Sequence, residues 1–186
     1  MDQSVKDLFA ARDSGDKESS YEALVKLFAL AEQPVDWAYE VWGTLVDDLS
    51  HADMHKRSFS AQMLSRLSQS DPEGRMLKDF PAVAAVMQDE SFVVARHTMQ
   101  SIWRVGLGGP AQVALVLAAL SARFRGGEGE KNASLVRTDV IKSLRFLADA
   151  VGDAGEIEKH AGALMDAEPD EKARKKQRAA WKNPGR

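Results

Sequence analysis

The sequence predicts an all-α fold of about five helical hairpins stacked one on the next. Three observations carry this. The 186 residues are dominated by Ala, Leu, Lys, Glu, Arg, Gln and Asp, with scattered β-branched residues and no sustained period-two alternation, which favours helix over strand. Pro, Gly, Asp and Ser punctuate the chain into ten segments of helical length. Four arginines, Arg57, Arg96, Arg137 and Arg174, recur at spacings of 39, 41 and 37 residues, a period that fits a two-helix unit.

Taken in order, the helical segments run roughly over 2–13, 17–32, 35–50, 53–69, 72–88, 90–106, 110–125, 132–151, 153–167 and 169–182. Pro34, Pro72 and Pro110 stand at or just before helix starts, where a missing N–H costs little. Asp53, Asp89 and Asp153 are expected N-caps, their carboxylates accepting from N–H groups of the first turn. The stretches "GLGGP" (106–110) and "RGGEGEKN" (125–132) are the glycine-rich breaks. The other connections are short, so neighbouring helices are expected to run antiparallel. The length suits a single domain with a sizeable core, here 1–182, followed by a tail over 183–186.

Seven residues after the aligned arginines stand Leu64, Trp103, Leu144 and Trp181, all large and apolar. Three residues after them stand Ser60, Met99, Val140 and Gln177, so the outer copies are less faithful. Apolar residues lie on more than one face of a hairpin, as with Val113, Leu115, Leu117 and Leu120, and only a neighbouring unit can cover them. Units of this length resemble the HEAT and armadillo class. The segment "MQDESFVVARHTMQSIWRVG" (Met87 to Gly106) in particular is similar to a HEAT second helix, with its acidic turn, Val-x-Arg and apolar row. The resemblance covers about 35–182 and implies a right-handed α–α superhelix, a HEAT-like solenoid whose second helices line the concave side. It also implies that the aligned arginine reaches an acid in a neighbouring turn. Asp89 and Glu90 ahead of Arg96, and Asp170 ahead of Arg174, fit that part, and Asp139 reads as a member of the same ladder rather than as a catalytic acid.

Composition narrows the function classes. The chain has no cysteine, hence no disulfide framework and no Cys-based nucleophile or metal site. The N-terminus lacks a signal-peptide core and no run approaches a membrane span, so a cytoplasmic protein is expected. The net charge of −3 hides an asymmetry: residues 1–90 hold 9 Lys and Arg against 17 Asp and Glu, residues 91–186 hold 16 against 11. An acidic half and a basic half govern partners more than their sum does.

Positions one, five and eight residues after each arginine share one helical side. They read Ser58, Gln62, Ser65; His97, Ser101, Arg104; Thr138, Lys142, Arg145; and Lys175, Ala179, Lys182. This stripe grows more basic towards the C-terminus and would line the concave face. His97, Arg104, Thr138, Lys142, Arg145, Lys175 and Lys182 are therefore the expected partner-binding residues. The expected partner is a protein, with an anionic ligand or nucleic acid as the variant that a basic groove would also attract. The last helix, "ARKKQRAAWKNPGR", combines basic residues with Trp181 and also suits the polar cap of a repeat stack.

Other constellations point to packing. His51 and His55 have helix-face spacing, but no third ligand accompanies them. "GLGGP" follows a helix and has no Lys-Ser/Thr behind it, so it is a turn and not a phosphate loop. Trp37 and Trp42 belong to a mainly apolar helix and are expected in the core, as are Trp103 and Trp181. No metal, cofactor or catalytic residue is assigned. The expectation is a non-catalytic repeat scaffold. Its rival is an enzyme similar to the HEAT-like alkylpurine DNA glycosylases, in which Trp103, Asp139 and the basic stripe would face the groove, although no family motif matches residue by residue. A likeness to bilin lyases rests on the architecture alone.

Overall fold

The structure is a computed structural model that describes residues 1–127 and 129–185; Glu128, in the second glycine-rich break, and Arg186, in the tail, lie outside the described residues. Ten α-helices fall in the ten expected segments, and no strand occurs among the described residues. They are α1 (Gln3–Arg12), α2 (Lys17–Leu30), α3 (Ala38–Asp48), α4 (Met54–Leu67), α5 (Arg75–Ala85), α6 (Phe92–Ser101), α7 (Pro110–Gly126), α8 (Ala133–Ala150), α9 (Gly155–Asp166) and α10 (Glu171–Lys182). Tighter 3-10 turns extend three of them, at Ser68–Ser70, Val86–Gln88 and Ile102–Gly108.

Local chemistry sets the ends. Asp2, Asp16, Asp53 and Asp170 cap α1, α2, α4 and α10, each accepting a hydrogen bond from a first-turn backbone N–H. Pro110 opens α7 at its first turn. Asp89 is not the N-cap of α6: Ser91 holds that place, and Asp89 accepts from the Ser91 N–H at 2.8 Å while its oxygens serve Arg57. Asp153 likewise stands one residue before the cap position of α9, accepting from the Gly155 N–H. Gly106 packs closely on α8, since a Cβ there would stand 2.4 Å from Leu147 Cδ1. The 3-10 segment can thus lie flat against α8.

Packing divides the helices into two layers. Along one, α2 packs on α4, α4 on α6, α6 on α8 and α8 on α10; along the other, α3 meets α5, α5 meets α7 and α7 meets α9. A continuous apolar core lies between them. The residues three places after the aligned arginines, Ser60, Met99, Val140 and Gln177, are all at 0 % exposure, so the four positions share an environment although their chemistry differs. Seven places on, Leu64 and Leu144 are also fully buried. Trp103 and Trp181 are only half-buried, a correction to their expected place in the core. Both still pack against the edge of the core; Trp103 also leans on Phe146, and Arg145 lies over Trp181. Trp37 and Trp42 are buried as expected. No helix among the described residues is long and apolar enough to cross a membrane.

Candidate functional site: a groove along α6, α8 and α10

The aligned arginines tie each hairpin to the next. Arg57 on α4 forms a two-pronged pair with Asp89, at 2.6 and 2.9 Å, and donates to the carbonyls of His51 and Ala52. Arg96 on α6 holds both oxygens of Asp139 on α8, at 2.7 and 3.2 Å. Arg137 on α8 holds Glu168 at 3.1 Å and the Phe124 carbonyl, and Gln177 on α10 donates to the same Glu168 at 2.7 Å. Glu168 thus takes the place expected of Asp170, which is occupied as the cap of α10. Arg174 pairs with no acid among the described residues. These forked contacts are charge-assisted and largely shielded from water. The Arg57 hydrogen bonds pull the Asp89 carboxyl below its usual range, and Asp139 in turn raises the Arg96 guanidinium.

The expected basic stripe is mostly paired or turned inward. Arg104 donates to both oxygens of Glu32 at 3.0 Å. Arg145 pairs with Asp149, one turn along its own helix, and Lys175 with Glu171. Thr138 is buried, its hydroxyl donating to the Ser134 carbonyl at 2.7 Å; Ser65 and Ser101 are buried in the same manner. His97 is exposed beside Ser58, with 3.2 Å between Nδ1 and Oγ. Desolvation on its packed side, and then the Arg96 charge, hold its pKa below the usual histidine value. Lys182 is exposed at the end of α10. Lys142 is half-buried and pairs with no acid among the described residues.

Lys142 is also where two open hollows meet. One, of about 560 Å³, is bordered by Gln100, Trp103 and Arg104 from α6 and its 3-10 extension, and by Lys142, Ser143 and Phe146 from α8. The other, of about 450 Å³, lies between Arg96, Thr138, Lys142 and Lys176. Together they form a groove crossing α6, α8 and α10. Of the expected residues the groove gathers Arg104, Thr138 and Lys142. It does not gather His97, Arg145, Lys175 or Lys182; at the C-terminal end Lys176, Ala179, Ala180 and Asn183 border it instead. Phe146, Ser143 and Gln100 were missed. Phe146 stands four residues after Lys142, the spacing of one helical side, which was the signal available for it.

A larger hollow, of about 690 Å³, opens at the other end between Arg12, Lys17, Tyr21, His55 and Phe59. Its arginine is engaged in part: Arg12 stacks 4.1 Å above the Phe59 ring and pairs with Asp13 at 2.7 Å, while its buried Nε has no hydrogen-bond partner. Among the described residues no cluster of His, Asp and Glu is arranged to hold a metal ion. Comparison with known proteins yields no match to a family model, to a curated protein or to a solved structure.

Proposed function

We propose that the chain is a HEAT-like helical-repeat scaffold, a right-handed superhelix whose layer of second helices binds an acidic segment of a protein partner. The observation that carries this reading is Lys142, a half-buried ammonium group that pairs with no acid among the described residues and borders two hollows in which Arg96 and Arg104 are already engaged. An amine so placed gains more from an incoming carboxylate than a fully exposed lysine would, because its surroundings screen it less. The alternation of α2, α4, α6, α8 and α10 in one layer supports the superhelix, and so does the arginine ladder with its one-unit step. The tail supports a polypeptide as occupant: Asn183 borders one hollow, Pro184 and Gly185 border the other, and Lys142 borders both. A stretch of non-helical chain is therefore already accommodated across the groove.

A second reading, single-stranded nucleic acid, draws on the half-buried Trp103 and Phe146 beside cations, a pairing that suits base stacking. The enzyme reading is less well supported, since Asp139 is 2 % exposed and both its oxygens are held by Arg96. Titrating an acidic peptide, single-stranded DNA, duplex DNA and RNA across a salt series, with wild type and Lys142→Glu, separates these. The acidic peptide is expected to bind in a salt-sensitive manner and to weaken about tenfold in the variant. Salt-sensitive binding of the oligonucleotides alone would favour the second reading. An unchanged affinity in Lys142→Glu would remove the groove from the account.

A further inference from the structure

The two ends of the groove differ in chemistry. Around Arg96, Thr138 and Lys176 its lining is polar and aliphatic, with no ring. Beyond Lys142 it is aromatic: the Trp103 and Phe146 rings lie 5.9 Å apart, inclined at 36°, and both remain half-buried. The Arg104 guanidinium lies 4.4 Å from the Trp103 ring and is anchored by Glu32, so this wall is held in place. Ser143, at 0 % exposure, borders the same hollow with a hydroxyl that has no hydrogen-bond partner. In the same layer Ser65, Thr98, Ser101 and Thr138 donate to a carbonyl one turn back, while Ser60 on α4, like Ser143, has a buried hydroxyl without a partner.

We infer that the partner is read by one aromatic side chain next to an acidic residue: the ring enters the hollow against Trp103 and Phe146 while the neighbouring carboxylate meets Lys142. This rests on the groove being the working face. The volume, about 560 Å³, holds an aromatic side chain, and two rings inclined to each other give it an offset or edge-to-face neighbour. A carboxylate alone makes a partly solvated pair with Lys142, which supplies the salt-sensitive but smaller share of the affinity. A ring desolvated in a hollow is the kind of anchor that dominates affinity at protein interfaces. The path of the tail favours a peptide over a nucleotide chain, because Gly185 already brings backbone to the amine: its Cβ direction ends 3.9 Å from Lys142 Nζ.

Calorimetric titration of the full chain with three short synthetic peptides tests this. The first is glutamate-rich with one central phenylalanine, the second has alanine in its place, and the third keeps the phenylalanine but replaces glutamate by glutamine. The first is expected to bind, and the second to bind about tenfold or more weakly. The third is expected to weaken and to lose its salt dependence. Phe146→Ala should reduce the first peptide to the level of the second and leave the second unchanged. Since the exchange in the peptide leaves the protein untouched, misfolding of the variant cannot mask the outcome. Equal binding of the first two peptides would overturn the aromatic anchor while leaving the acidic groove standing. Failure of all three would overturn both.

Discussion

Glu32 accepts hydrogen bonds from two arginines far apart in sequence, Arg66 and Arg104, each at 3.0 Å. Burial works against its charge, but Arg104 and then Arg66 more than offset this and hold its pKa below the usual glutamate range. Arg66 is pulled down to about 10, first by its burial and then by the charge of Arg104. One carboxylate of the acidic half, just after α2, thus pairs with two arginines of the groove layer, a long-range pairing that no helical spacing announces. Glu32→Gln should lower stability by only about 1 kcal/mol, since its carboxylate is partly solvated. It should also strengthen binding of an acidic peptide by freeing Arg104, and chemical denaturation with titration of the same variant checks both effects. Leu144, by contrast, was legible in the sequence as a core residue and has 0 % exposure. Leu144→Ala should cost about 2–5 kcal/mol in denaturant unfolding, and a loss under about half a kcal/mol would contradict its place between units.

At the level of elements, all ten helices were legible because punctuation and composition are local properties. The departures have physical causes outside the local pattern. Asp89 leaves the cap of α6 because Arg57 from the preceding hairpin claims its carboxylate. The chain after α6 tightens into a 3-10 segment, Ile102–Gly108, whose Gly106 allows close approach to Leu147. The ladder itself has a consequence for acid stability. The Asp89 carboxyl is depressed by its hydrogen bonds from Arg57, so the folded state binds that proton less readily than the unfolded chain. Its contribution is therefore present above the ordinary carboxylate value of about 3.9 and is lost as pH falls through the depressed one. His97 acts in the same direction at higher pH, because its lowered pKa lets the unfolded state take up a proton first below about 6.5. Stability measured from pH 7 downwards should show both steps. Asp89→Asn should flatten the acid one, and Asp139→Asn should cost about 2–4 kcal/mol at neutral pH by leaving Arg96 without its carboxylate.

For the whole molecule, the separation into an acidic first half and a basic second half was visible in the sequence, but its effect on the groove was not. Folding places Glu32 on Arg104, Asp149 on Arg145 and Glu171 on Lys175, so among the described residues the uniform basic face implied by spacing keeps only Lys142 and Lys182 without an acidic partner, and of these only Lys142 borders the groove. The aromatic wall was hidden for a related reason: Trp103 stands where the repeat pattern puts a core residue, yet in the 3-10 segment after α6 it is half-buried against Phe146. The molecule thus offers three hollows, the larger at α1, α2 and α4 and a smaller pair along α6, α8 and α10. The proposed binding site is the smaller pair rather than the larger hollow. Backbone amide chemical-shift mapping on the isotope-labelled chain, during titration with the glutamate-rich phenylalanine peptide, decides between them. The account predicts shifts confined to residues 96–104, 135–146 and 176–185, saturating together and abolished by Lys142→Glu. Shifts centred on residues 12–24 and 53–59, or none at all, would contradict it.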